Sequence, residues 1–429
     1  MTEHTLTPIA QAVDHKARAH ARLSASGSYR WMICTMSPQA EEGFPDTTNP
    51  SSEDGTYVHE QNDIQILYWL GQITQEQYIA KLKQCDEAYL ALLSERGLSH
   101  DQAALHVKDQ KALSQFCVNW AIEFIKGLWA SEGRENVTVW VEQRFDLTAW
   151  VPESFGTSDL TIATPSKIYV IDWKAGRNMV YAADNPQLRL YGLGVYGLVG
   201  ALYDFSEIEM MIVMPKHEFI DSETMSVEAL LHWGDTVVKP AAHAAHTGDG
   251  AQFVPSLEED GQCRWCKARK VCKARAQLAQ GVVATSTAPG LMTVEELANV
   301  YPHLSAVISW AKDVKDHVDA QVLAGAKGYG LKVVEGRSNR VITDVSQAKL
   351  RLCEAGYNIE IITEAPPTER TLLGLSALEK VVGKSRLPEI LGDVLKKPPG
   401  AKTVVPESDP RDAVDVQRES AEDAFGALD

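Results

Sequence analysis

The sequence predicts an α/β protein: a mixed sheet flanked by helices, with an inserted helical subdomain and an α+β C-terminal domain. Three observations lead there. Residues 55–131 carry apolar side chains at three- and four-residue spacing, the period of a helix with one buried face. From residue 137 the period drops to two, as in a half-buried strand. A single helical segment then interrupts the strands, giving the order helices, three strands, helix, strand.

Taken in order, the first twenty residues are polar and alanine-rich, and RLSASGSYRWMICTMSP (22–38) offers serine caps and an aromatic helical face ending in Cys34. A Pro-, Asp-, Thr- and Ser-rich loop covers 38–55, after which AYLALL and FCVNWAIEFIKGLW carry the helical period. VTVWVEQRFDLTAW (137–150) alternates, SDLTIATPSKIYVIDWK (158–174) reads as a two-stranded hairpin, and EIEMMIVMP (207–215) as a further strand. Between them NPQLRLYGLGVYGLVGALY (185–203) is a helix, opened by Asn185 as cap and Pro186 in the first turn. Residues 225–246 read as helical, QGVVATSTAPG (280–290) as a linker and 293–325 as a helix. GLKVVEGRSNRVIT (330–343) reads as a hairpin, with short helices over 345–356 and 375–393. The domain reading is therefore 1–280, holding a helical subdomain at 55–135 and a core at 137–215, then an accessory domain at 291–400 and an acidic, structureless tail at 401–429.

Composition narrows the function classes. With 41 basic and 58 acidic residues the chain carries a formal charge of −17, which argues against indiscriminate coating of nucleic acid but leaves room for a local basic channel. The most basic segment is CRWCKARKVCKAR (263–275), where Arg264, Lys267, Arg269, Lys270, Lys273 and Arg275 stand without an acid and are candidate DNA contacts. No apolar run suits a membrane span and no leader is visible, so a cytoplasmic protein is expected. Seven cysteines then point to metal or cluster ligation rather than a disulfide framework.

The stretch IYVIDWKAGR (168–177) holds the chemistry. A buried apolar strand ends in Asp172 and Lys174, two residues apart and so on one face. An ion pair at a solvated strand end would account for these two alone. Asp159 in the preceding strand changes the reading, because a hairpin can bring it beside Asp172, and two adjacent carboxylates call for a cation. Mg or Mn suits so few oxygen ligands: Asp159, Asp172 and the backbone carbonyl of Trp173. Such an ion polarises a phosphate and acidifies a bound water, while Lys174 orients that water or stabilises the developing charge.

Asp159, a hairpin and then Asp172-Trp-Lys174 resemble the PD-(D/E)XK nuclease superfamily. GTYVHE (55–60) is similar to the first motif of its RecB-like branch, and QLRLY (187–191) to the helix motif of that branch. The resemblance implies a restriction-endonuclease-like fold, His59 as a further metal ligand, and Gln187 and Tyr191 near the scissile phosphate or the DNA strand. Glu142 in VWVEQRF stands where the family places an acid on the preceding strand, although an exposed strand glutamate reads equally well. Ser158 stands where the family pattern has a proline, which many members lack.

Cys263, Cys266 and Cys272, spaced C-x2-C-x5-C, need a fourth ligand, and Cys34 occupies the N-terminal place it has in RecB-like nucleases of the AddB and CRISPR-associated type. That resemblance implies a 4Fe-4S clamp; zinc remains the alternative for four thiolates. Cys85, Cys117 and Cys353 read as ordinary buried residues. The C-terminal third is similar to that of a phage and prophage family with a RecB-like core; Arg337, Arg340, Lys396, Lys397 and Lys402 are its candidate DNA contacts.

The expected function is a metal-dependent DNA nuclease, an exonuclease of phage or bacterial recombination, replication or repair acting on single- or double-stranded DNA. A phage single-strand-binding protein, recombinase or helicase is the expected partner, since the chain has no GxxxxGK[ST] phosphate loop of its own. The competing readings are a non-cleaving recombination module and a structural zinc protein.

Overall fold

Local signals set the first helices. The computed structural model describes residues 21–45, 50–201, 203–258, 261–284, 292–364 and 371–414. Two short helices, α1 (Ser28–Trp31) and α2 (Ser37–Ala40), precede α3 (Pro50–Trp69), α4 (Gln75–Glu95) and α5 (His100–Glu132). Both α4 and α5 open on a reciprocal capping box, Thr74 with Gln77 and Ser99 with Gln102, and α5 stops at Gly133. Tyr57, Ile64, Cys85, Tyr89, Leu93, Ala103 and Val107 give α3, α4 and α5 a small core of their own.

A five-stranded sheet follows, built of β1 (Thr138–Asp146), β2 (Phe155–Ala163), β3 (Lys167–Trp173), β4 (Glu207–Met214) and β5 (Phe219–Ser226) in that spatial order. All neighbours are antiparallel except β3 and β4. A parallel pair needs a crossover, supplied by α6 (Pro186–Val199). The expected strand over 137–150 ends at Asp146, beyond which 147–151 fold into a turn. The edge strand β5 was not expected: FIDSETMS shows half-buried and exposed positions in alternation and no apolar run.

Side-chain parity sorts the sheet's two faces. Ile168 and Val170 of β3, with Ile208, Met210 and Ile212 of β4, pack on the α6 side, whereas Ile171, Trp173, Met211 and Val213 pack with Ile66, Cys117 and Ile125 of α3 and α5. Asp172 therefore belongs to the α6 face. Two glycines let α6 approach closely: a Cβ on Gly194 would stand 2.0 Å from the Phe145 ring, and one on Gly156 of β2 2.5 Å from it. Phe145 is thus clamped between helix and strand.

After the sheet, the expected helix over 225–246 is α7 (Val227–Trp233), a π-helical turn and α8 (Lys239–Thr247). Next come the cysteine loop, α9 (Lys273–Val283), α10 (Val294–Val300) and α11 (Leu304–Leu323). The expected linker begins inside α9, and its residues 285–290 lie outside the described residues, as do the first twenty. Among the described residues no helix is long and apolar enough to cross a membrane.

The chain divides into two compact units, at Trp310 and Ala311. The second holds β6 (Leu331–Glu335), β7 (Val341–Ile342), α12 (Val345–Glu354), α13 (Ile359–Ile362), β8 (Thr363–Glu364), β9 (Thr371–Leu372), α14 (Leu375–Val382), α15 (Arg386–Leu391), β10 (Leu395–Lys396) and β11 (Lys402–Pro406). The expected hairpin over 330–343 is corrected: β6 pairs with β11 and β7 with β10, so each strand takes a partner from 395–406. Residues 402–406 thereby leave the expected structureless tail, while 415–429 lie outside the described residues. The expected helix over 375–393 breaks at Gly383, whose φ of 97° ends α14. Leu352, Ile362, Leu378, Leu387 and Leu391 form this unit's core.

Candidate active site

Strand register brings three acids into one row. Val141 pairs with Leu160 and Gln143 with Ser158, which puts Glu142 opposite Asp159; Leu160 pairs with Ile171, which puts Asp159 opposite Asp172 one step beyond. Like charges directly opposite repel, and both aspartates are buried, Asp159 8% and Asp172 3% exposed. The row also bends its strand. Glu142 has φ 54°, the left-handed region that costs a residue with a Cβ. Across it β1 exchanges faces: Val139 packs toward α5, but Phe145, of the same parity, toward α6.

Each aspartate is balanced by a base. His59 of α3 brings Nδ1 to 3.1 Å from Asp159 Oδ1, and the Trp173 N–H donates to Asp159 Oδ2 at 2.8 Å. Lys174 Nζ lies 2.8 Å from Asp172 Oδ2 and donates to Gln187 Oε1 at 3.1 Å. The Gln187 amide in turn donates to Asp172 Oδ1 at 3.1 Å and to the Tyr191 hydroxyl at 3.0 Å. Gln187 is fixed by the start of α6, where the Asn185 side chain accepts from the Gln187 and Leu188 N–H groups.

Protonation follows from this pairing. Burial raises the Asp172 pKa above the ordinary carboxylate value, with Asp159 adding to the rise and Lys174 opposing it. For Asp159 burial pulls the same way but loses to His59 and the Trp173 N–H, so its pKa falls. Burial disfavours charge on Lys174 and His59, yet Asp172 and Asp159 overcome it and raise both. Burial, with Asp172, Asp159 and Glu142 adding to it, holds the Tyr191 hydroxyl well above its ordinary range. Lys174 is thus a held ammonium ion.

Among the described residues no three His, Cys, Asp or Glu side chains stand clustered at metal-ligating spacing. The donor chemistry nevertheless fits a hard divalent cation: two adjacent buried carboxylates, one with raised proton affinity, gain from a positive charge between them. Asn62, three residues after His59 on α3, is fully buried beside the Cys117 thiol, which feels the charge of Asp159.

The four cysteines gather in one neighbourhood and form no disulfide. Cys34 feels the charges of Cys263 and Cys272, and Cys266 that of Cys263. Burial raises Cys34 and Cys263, and pushes Cys266 up to about 12. Backbone N–H groups of Val254 and Ser256 donate to the Cys34 and Cys263 sulfurs at 3.5 and 3.2 Å, contacts that suit cluster or zinc thiolates. Hydrogen bonds join the segment before α3 to the cysteine loop: Glu41 accepts from the Lys267 N–H at 2.8 Å and pairs with Arg30 at 3.1 Å.

The basic segment divides. Lys270 and Lys273 are exposed and Arg264 is half-buried, whereas the Arg269 guanidinium bonds to the Arg264 carbonyl. Arg275 is corrected as a DNA contact: it is 6% exposed, beside Cys263, and braces the loop. In the second unit Arg337, Lys396, Lys397 and Lys402 are exposed, but Arg340 is paired with Glu379.

The model of one family, DUF2800, a protein family of unknown function, matches residues 20–412. The chain belongs to this family. The match reaches across both units of this DUF2800 chain, so the acid row, the cysteine loop and the β6–β11 pair all fall inside it.

Proposed function

We propose that this DUF2800 chain is a metal-dependent DNA nuclease with a PD-(D/E)XK-type, RecB-like core, acting in phage or bacterial DNA recombination, replication or repair. One observation carries the reading: Asp172, Lys174, Gln187 and Tyr191 form a connected hydrogen-bonded group beside the His59–Asp159 pair. Asp159, Asp172, the Trp173 carbonyl and His59 would hold Mg or Mn, which supplies phosphate polarisation and an acidified water. Lys174, kept protonated, is suited to stabilising charge on the phosphate or orienting water rather than to removing a proton. Gln187 fixes the ammonium group, and Tyr191 fixes Gln187. The four-cysteine neighbourhood would hold a 4Fe-4S cluster or zinc, a structural tie between the chain start and the loop after the sheet.

The test is cleavage of end-labelled linear and covalently closed DNA, single- and double-stranded, with Mg or Mn. Asp172→Ala should lower cleavage by at least about a hundredfold while tryptophan fluorescence stays native. Metal-dependent cleavage retained by a clean preparation of the variant removes Asp172 from the chemistry. The pairing of both aspartates with bases favours a second reading, a DNA-binding module that does not cleave. DNA bound without product under every metal and substrate condition would select it.

A further inference from the structure

A second surface feature lies near the acid row. The loop 174–185 leaves the site at Lys174 and exposes Arg177, Met179 and Tyr181, the last at 58%. Asn178 Oδ1 accepts from Arg264 at 3.4 Å, which ties this loop to the cysteine loop. The Arg264 guanidinium stands 5.0 Å from the centre of the Trp265 ring, yet 64% of Trp265 is open to solvent. Its backbone is held as well, the carbonyl accepting from Arg30 at 3.4 Å. His217 Nε2 donates to the Arg177 carbonyl at 3.0 Å, bringing in exposed Lys216. Tyr181 packs edge-on against Phe219 at 6.0 Å.

A solitary exposed indole needs no explanation, but this one sits among basic groups in a chain of net charge −17. Flat rings beside guanidinium groups are the features that stack unpaired bases and attract their phosphates, whereas a duplex hides its base faces. Asn178 is four residues beyond Lys174, within about 14 Å of extended chain, so a strand lying on this surface reaches the acids.

We infer that Trp265 and Tyr181, with Arg264 and Arg177, form a stacking platform for unpaired DNA bases, which makes a single-stranded end the substrate of the acid row. The inference rests on the nuclease reading for its second half only. Binding of labelled oligothymidylate and of a duplex is measured by anisotropy with the full chain in an Asp172→Ala background, adding Trp265→Ala, Trp265→Phe or Tyr181→Ala. Trp265→Ala should weaken single-strand binding roughly 5- to 150-fold and leave duplex binding nearly unchanged, with Trp265→Phe retaining most affinity. Tyr181→Ala, remote in sequence from the cysteines, should repeat the selective loss. Equal losses on both DNAs, or none on either, overturn the platform. If the selective loss appears but no wild-type preparation cleaves DNA, the platform stands and the nuclease reading falls. Asp172-dependent cleavage without the selective loss gives the reverse.

Discussion

Glu142 offers a test that separates backbone strain from side-chain chemistry. At an ordinary strand position glycine is less stable than alanine by about 0.5–1 kcal/mol, because it loses more chain entropy on folding. Glu142 sits at φ 54° within β1, where a Cβ costs about 1–2 kcal/mol and glycine is at ease. Glu142→Ala and Glu142→Gly both delete the carboxylate, so their difference isolates the backbone. The difference of the two effects makes Glu142→Gly more stable than Glu142→Ala by up to about 1.5 kcal/mol, with about 0.75 at the middle of both ranges, a reversal of the usual sign. All ten tryptophans lie at or before Trp310, so tryptophan fluorescence during thermal or urea unfolding reads the first unit alone. A difference of 1 kcal/mol is worth roughly 2–4 °C in Tm for a domain of this order of size. If the alanine variant proves the more stable, β1 does not turn through the left-handed region at 142, and the face exchange between Val139 and Phe145 needs another cause. Cleavage assays on the same pair test the acid row: if the third carboxylate takes part, both variants lose activity equally despite their different stabilities.

Further outcomes follow from other parts of the first unit. Asp54 accepts from Tyr89 at 2.7 Å and Arg96 at 2.9 Å; burial would raise its pKa, but these bonds and His106 lower it. A depressed acid stabilises above its unfolded pKa, near 3.8, and loses that contribution as pH falls through the folded value. Asp54→Asn should therefore cost about 1–3 kcal/mol at neutral pH and flatten the acid limb of the fluorescence-detected unfolding curve; an unchanged acid limb would count against the pairing. Gly194→Ala should cost about 1–3 kcal/mol through its clash with Phe145, and Phe145→Leu in the same chain should restore part of it, as a double-mutant cycle would show. Anaerobically purified protein should carry iron and sulfide with visible absorption, and alanine at Cys34, Cys263, Cys266 or Cys272 should remove it. Zinc without sulfide in elemental analysis would replace the cluster by the alternative metal.

The sequence determined what depends on near neighbours. Period two in VTVWVEQRF placed β1, the short apolar run IYVI placed β3, period 3.6 placed α5, and the two-residue spacing of Asp172 and Lys174 put them on one face. These signals are local because a side chain's direction is set by the backbone of its own element. Asn185 and Pro186 likewise announced the helix that positions Gln187 and Tyr191. Tertiary structure decided everything that needs a partner distant in the chain. β5 draws its hydrogen bonds from β4 and carries no apolar run of its own, so its strand character is invisible until the pairing exists. The apparent hairpin at 330–343 dissolves because β6 and β7 find partners in 395–406 rather than in each other, a choice between pairings that alternation cannot rank. Arg275 reads as one more cation in a basic run, and only the folded loop buries it beside Cys263. The acid row divides between the two: the hairpin legible in the sequence already brought Asp159 beside Asp172, whereas Glu142 comes opposite Asp159 only through the register of β1 on β2.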